Sequence, residues 1–140
     1  MSTLWLGHTP SSAALARRSV LAAFDDAGLT GEPALDAALI ASELVGNAVR
    51  HASPLPSGQL AVSWVLDAEG YQISVTDGGG MSDPDSLTGG VSARQAGARD
   101  TAGRGLRIVA ELADSWGVAT DDDGATTVWA RASTPACAAR

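Results

Sequence analysis

Apolar positions alternate with smaller or polar ones in two stretches of the chain, at Leu60, Val62, Trp64 and Leu66 and again at Tyr71, Ile73 and Val75. A period of two predicts strands, and Asp67-Ala68-Glu69-Gly70 between them predicts a hairpin turn. A period near 3.6 governs the earlier part. Ser11 or Ser12 is placed to cap a helix that runs to about Ala27, with Leu15, Ser19 or Val20, Ala23 and Phe24 at helical spacing and Gly28 as its stop. Pro33 suits the first turn of a second helix, ended near Ala52 by Ser53-Pro54. Ahead of both, Thr3 to Leu6 reads as a short edge strand. Beyond Val75 the pattern breaks at Thr76-Asp77-Gly78-Gly79-Gly80, and Met81 to Thr101 shows little periodicity. A loop of that length is either disordered or functional. Leu106, Val109, Ala110 and Ala113 predict a third helix to about Ser115, and Trp116 to Thr120 with Ala125 to Arg131 predict a closing hairpin around Asp121 to Gly124. Three helices set among strands in this order predict an α+β sandwich, a mixed or antiparallel sheet with helices on one face.

Composition narrows the function more than the fold. The 140 residues suit one domain, with 45% apolar and 18% charged content typical of a folded chain. No apolar run reaches the roughly 18 residues of a membrane helix, and Met1 to Pro10 has no signal-peptide pattern, so the expected location is cytoplasmic. The net charge of −7 opposes nonspecific nucleic-acid binding. The single cysteine, Cys137, has no partner for a disulfide and lies in a small-residue tail, residues 133–140, after a domain of residues 1–132. All nine basic residues are arginine. Without lysine there is no Walker-type phosphate lysine and no strand lysine of ordinary protein kinases.

Three segments carry candidate chemistry. On the second helix, Ile40, Ala41, Leu44 and Ala48 form an apolar face, while Glu43 and Asn47 lie one turn apart on another. Asp36 and Arg50 extend that polar stripe and read as solvated. Asparagine is a poor mid-helix residue unless it binds something. Asp77-Gly78-Gly79-Gly80 ends a strand; alone it reads as a flexible turn with a surface acid, but glycines also let a ligand approach the backbone. Gly103-Arg104-Gly105-Leu106 opens a helix, where free amides suit an anion, although a bare Gly-x-Gly is common.

In this order and spacing the three segments resemble the N, G1 and G2 boxes of the ATPase superfamily shared by histidine kinases, gyrase-type topoisomerase subunits and Hsp90, the GHKL or Bergerat-fold group. Within it the chain looks most like the stand-alone anti-sigma-factor serine/threonine kinases. Glu-Leu-x-x-Asn-Ala-x-x-His-Ala is matched at each fixed position from Glu43 to Ala52. The resemblance implies ATP and Mg²⁺ as cofactors. Asn47 would hold the metal, directly or through water, and Glu43 would be the general base toward a serine or threonine hydroxyl. Asp77 would accept from the adenine amine, with Gly79 making room for the base. The amides of Gly103, Gly105 and Leu106 would meet the phosphates, with Arg94, Arg99 or Arg104 in place of a lid lysine. Met81 to Thr101 would be the lid, although Met81 stands where the G1 pattern often has glycine.

The same resemblance implies a sigma factor and its antagonist protein as partners, and a homodimer. A noncatalytic nucleotide-dependent binding switch and a slow ATPase are the alternative readings. His51 fits the N box but suits helix-end packing and hydrogen bonding, His8 has no motif context, and Trp64, Trp116 and Trp129 read as core.

Overall fold

A computed structural model describes residues 2–79 and 104–133, the side chains of Arg104 and Gly105 excepted. The elements are β1 (Ser2–Gly7), α1 (Ser12–Asp26), α2 (Glu32–His51), β2 (Gln59–Leu66), β3 (Gly70–Asp77), α3 (Arg104–Leu112), β4 (Ser115–Thr120) and β5 (Thr126–Ser133). All strand pairings are antiparallel, in the order β1-β2-β3-β5-β4. The sheet expected as mixed or antiparallel is therefore the second.

The strand alternation sorts side chains onto two faces. Leu60, Val62, Tyr71, Ile73, Val75, Trp116 and Ala130 point into one buried core with Val20, Phe24, Ile40, Leu44, Val45 and Val109 from the helices. The other face carries Thr3, Ser63, Ser74, Thr76 and Thr127, paired by register and joined in part by hydroxyl bonds, Thr3 to Ser63 at 3.1 Å and Thr76 to Thr127 at 2.8 Å. Trp129 belongs to this second face. It is half-buried across Gly117, where an added Cβ would come within 2.8 Å of its ring, so it is not a core residue as expected. Trp64 is half-buried against the core and Trp116 is 3% exposed.

Helix α1 departs from its sequence reading in two ways. Neither serine caps it: Ser11 has helical dihedrals and no side-chain cap bond, while Ser12 Oγ donates to the Gly7 carbonyl at 2.6 Å. Its buried stripe is Ser12, Ala16, Val20 and Phe24, which leaves Leu15 42% exposed. The stop is as expected. Gly28 adopts φ 93°, the Leu29 amide donates to Phe24 O at 2.8 Å and the Gly28 amide to Asp25 O at 3.0 Å, a Schellman closure with Leu29 buried over it. Helix α3 is shorter than its periodicity suggested. It ends at Leu112, Ala110 is exposed, and Ser115 already begins β4.

Candidate functional site

Helix α2 buries one apolar face from Ala34 to Ala48, and this is what makes Asn47 unusual. Ala37, Ala38, Ile40, Ala41, Leu44, Val45 and Ala48 are all buried, as the apolar periodicity requires. Asn47 is buried with them, 6% exposed, and its Oδ1 is the one buried side-chain polar atom without a hydrogen-bond partner among the described residues. A carbonyl oxygen in that condition costs about 1–3 kcal/mol unless something else binds it. Glu43 lies one helical turn earlier and is half-buried.

Beyond His51 the chain turns and meets the end of β3. The Ser53 amide donates to Gly79 O and the Gly78 amide to Ser53 O, both at 2.8 Å, so two backbone bonds splice the end of α2 to the turn after Asp77. The contact is too close for side chains. A Cβ on Gly78 would collide with the Pro54 carbonyl oxygen, and one on Gly79, whose φ is 78°, with that of Gly124. These glycines are thus spacing elements between three backbone segments.

Asp77 is 3% exposed, and its Oδ1 accepts the Gly79 amide at 2.6 Å. Burial raises its pKa from 3.8 to about 6, against the opposing effects of the Gly79 amide and of His8. Thr126, 1% exposed, pairs with Asp77 across β3 and β5 and is 3.3 Å from the Thr120 hydroxyl.

Sequence reasoning missed two of these neighbours. His8 follows β1, and its Nε2 donates to Ala52 O at 2.8 Å and Ala48 O at 3.2 Å. It therefore makes the helix-end hydrogen bonds expected of His51, which is half-buried at the last position of α2 with no such bond among the described residues. No local pattern marks His8, because its partners lie 40 and 44 residues away. Thr126 had a signal in strand register opposite Asp77, readable only once β3 and β5 were known to pair.

The structure thus brings Asn47, Asp77 and Gly79 to one end of the sheet, through α2 and the Ser53–Gly79 splice. Arg104 and Gly105 open α3, and Leu106 is half-buried against the core. Gly103, Arg94, Arg99 and the expected lid at Met81 to Thr101 lie outside the described residues. A buried oxygen lacking a donor fits magnesium, which takes oxygen ligands and retains waters. The described residues hold no cluster of three or more His, Cys, Asp or Glu able to bind a metal alone, so any ion here must draw its remaining ligands from elsewhere.

The Bergerat-type sandwich inferred from the boxes is found again among solved structures. A crystal structure of the RsbU and RsbW domains of Rv1364c from Mycobacterium tuberculosis aligns with a TM-score of 0.63 at 20% identity, over 96% of this chain and 34% of that one. The chain thus spans about a third of that protein's crystallised length. The SiaB–SiaC complex from Pseudomonas aeruginosa aligns with a TM-score of 0.57 at 12% identity, over 96% of this chain and 90% of the other. At such identities the likeness is one of fold. No curated protein matches in sequence. The profile of the histidine kinase-like ATPase domain, by contrast, matches residues 6–132, from the penultimate residue of β1 to the penultimate residue of β5. The chain is a member of the histidine kinase-like ATPase domain family.

Proposed function

We propose that this domain binds Mg-ATP at the Asn47–Asp77 end of the sheet and is a protein serine/threonine kinase of the anti-sigma-factor type. The observation that carries the nucleotide half is the buried, partnerless Oδ1 of Asn47, one turn from Glu43 on a helix spliced to the Asp77 turn. Asn47 would hold the metal or a water on it. Asp77, with one oxygen already held by Gly79, would offer the other to the adenine amine, and Gly79 keeps that wall free of side chains. Gly103, Gly105 and Leu106 would supply amides at the start of α3. Glu43 would take the proton of a serine or threonine hydroxyl on a partner protein. Bound ATP would supply the phosphoryl group, and its magnesium would neutralise charge on the phosphates.

The partner half, a sigma factor sequestered and its antagonist phosphorylated, rests on the N, G1 and G2 resemblance. A cytoplasmic location fits it. No helix among the described residues is long and apolar enough to cross a membrane.

Calorimetric titration of ATP with Mg²⁺ tests the first half, comparing wild type with Asn47→Ala. Saturable binding that the variant loses supports the site, whereas folded wild type that does not bind sinks it. A transfer assay on a cognate antagonist tests the second. Glu43→Ala should abolish transfer and spare ATP binding; a wild type that binds ATP without transfer would be a nucleotide-dependent switch.

A further inference from the structure

The end of the sheet away from Asp77 holds a separate hollow. It lies between the first turns of α2, the start of β3, the end of α3 and the end of β5, encloses about 180 Å³, and is lined by Glu32, Asp36, Tyr71, Leu112 and Ser133, among others. Tyr71 and Asp77 are six positions apart along the strand, about 20 Å. Pockets for whole small molecules run from about 300 Å³ upward. This one admits a group of side-chain size and not a nucleotide.

Its charge is of one sign. Glu32 and Asp36 line it, and Asp114 acts on the same phenol: burial first, then the charges of Asp36 and Asp114, push the Tyr71 hydroxyl well above its ordinary pKa. Asp114 Oδ2 already accepts the Ser133 amide at 2.7 Å. Among the described residues the Glu32 and Asp36 carboxylates have neither a hydrogen bond nor an ion pair, and the single ion pair there, Arg131 to Asp67, does not involve them.

Acids in the first turns of a helix are ordinary, because the helix start carries about half a positive charge. Two carboxylates exceed that. The observation that turns a helix start into a site is Tyr71. It is 1% exposed, with its ring edge-on to Phe24 at 5.4 Å, and its hydroxyl makes no hydrogen bond to a described residue; unlike the enclosed Asn47 Oδ1, that oxygen keeps a sliver of open surface. The residue lines the hollow, so its unspent donor and acceptor capacity opens there.

We propose that this hollow binds a guanidinium group, an arginine side chain of a polypeptide, between the Asp36 and Glu32 carboxylates and the phenol oxygen of Tyr71. A metal ion fits poorly, since no group of three or more potential ligands among the described residues is placed to hold one. A guanidinium spreads five donors over a plane and reaches separate acceptors together. It is also more weakly hydrated than an ammonium, which suits a recess walled partly by Leu112. Two sources present this chemistry: Arg140 of this chain, seven residues beyond Ser133, and an arginine of another protein.

The test titrates a capped Gly-Arg-Gly peptide, and its citrulline and lysine counterparts, into the full chain as wild type and as Arg140→Gln, with amide chemical shifts as the readout. The arginine peptide should saturate at least the Arg140→Gln chain, with shifts centred on Asp36, Tyr71 and Ser133. Citrulline should bind about ten-fold or more weakly, as loss of a charge-assisted bond requires. Asp36→Asn should cost about ten-fold and Tyr71→Phe about three-fold, in folded protein whose ATP titration is unchanged. Tighter binding by Arg140→Gln than by wild type identifies the chain's own arginine as occupant, and equal binding identifies an external one. Absence of saturable binding in Arg140→Gln, equal binding of citrulline or lysine, or shifts centred elsewhere would overturn the proposal.

Discussion

The two ends of β3 start from the same physics and arrive at different chemistry. Tyr71 at one end and Asp77 at the other are both almost fully buried, and burial is the largest effect on each, raising both pKa values. For a phenol this strengthens the neutral form that it already has at neutral pH. For a carboxylate it brings the charge change to about 6, close to physiological conditions. One end is a fixed dipole facing acids. The other is an acid that burial lifts toward neutral pH, with a backbone amide and an imidazole pulling the other way.

The largest way to break this contrast is to remove each polar group. Asp77→Ala should weaken ATP binding by about a hundred-fold or more, because a site built to hydrogen-bond a ligand discriminates strongly when the partner is gone. Tyr71→Phe should leave ATP affinity within about two-fold, calorimetry being the check on both.

Backbone spacing offers a second comparison. A Cβ on Gly78 would strike the Pro54 carbonyl oxygen, and one on Gly70 would strike that of Ala132, at opposite ends of the same strand. Each Gly→Ala change should cost roughly 1–3 kcal/mol in chemical denaturation, the usual range for overpacking. Only Gly78→Ala should also weaken ATP binding, since it separates the end of α2 from the Asp77 turn.

Acidity sharpens the difference further. The raised pKa of Asp77 means that the folded state holds its proton more tightly than the unfolded chain does between about 3.8 and 6. Its contribution to stability is therefore fully present below the lower value and lost as pH rises through the upper. The melting temperature of Asp77→Asn relative to wild type should rise from pH 4 to pH 6 and level off above. The offset of Tyr71→Phe should stay flat from pH 4 to 8, because the phenol does not titrate there.

The smallest effect belongs to the hairpin next to Tyr71. Arg131 and Asp67 pair at 3.0 Å with 31% and 47% of their side chains exposed, so Arg131→Ala should leave the melting temperature unchanged within error.

Much of this was legible in the sequence, for reasons that differ by element. The strands at Leu60 to Leu66 and Tyr71 to Val75 were readable because each buries one face, and a half-buried strand must alternate. The α2 apolar face was readable for the same reason at helical period. Helix α1 was misread by one position because its buried stripe is mostly small: Ser12 and Ala16 lie inward while Leu15 faces solvent. Its expected cap failed because the Ser12 hydroxyl found the Gly7 carbonyl instead.

At the site, Asn47 was conspicuous as a polar residue in an apolar helix, and burial made it more so. The desolvation of Asp77 and the roles of His8 and Thr126 depend on contacts across 40 or more residues, which no local pattern contains. The acidic hollow was invisible for a related reason. Asp36 read as one more solvated charge on a polar stripe, and only the convergence of α2, β3, α3 and β5 gives it a recess.

The sheet order carries one more consequence, in time rather than in space. Strands β2 and β3 close across a short turn, as do β4 and β5, but β1 must wait for β2, since Ser2 pairs with Trp64. During synthesis the apolar side chains of β1 emerge first and wait through the longest stretch of chain for a first hydrogen-bonding neighbour. Contacts that span so much chain form slowly, so β1 is the segment most exposed to misplaced pairing and aggregation before the sheet is complete. Pulse-labelled hydrogen exchange during refolding should find its amides protected after those of both hairpins.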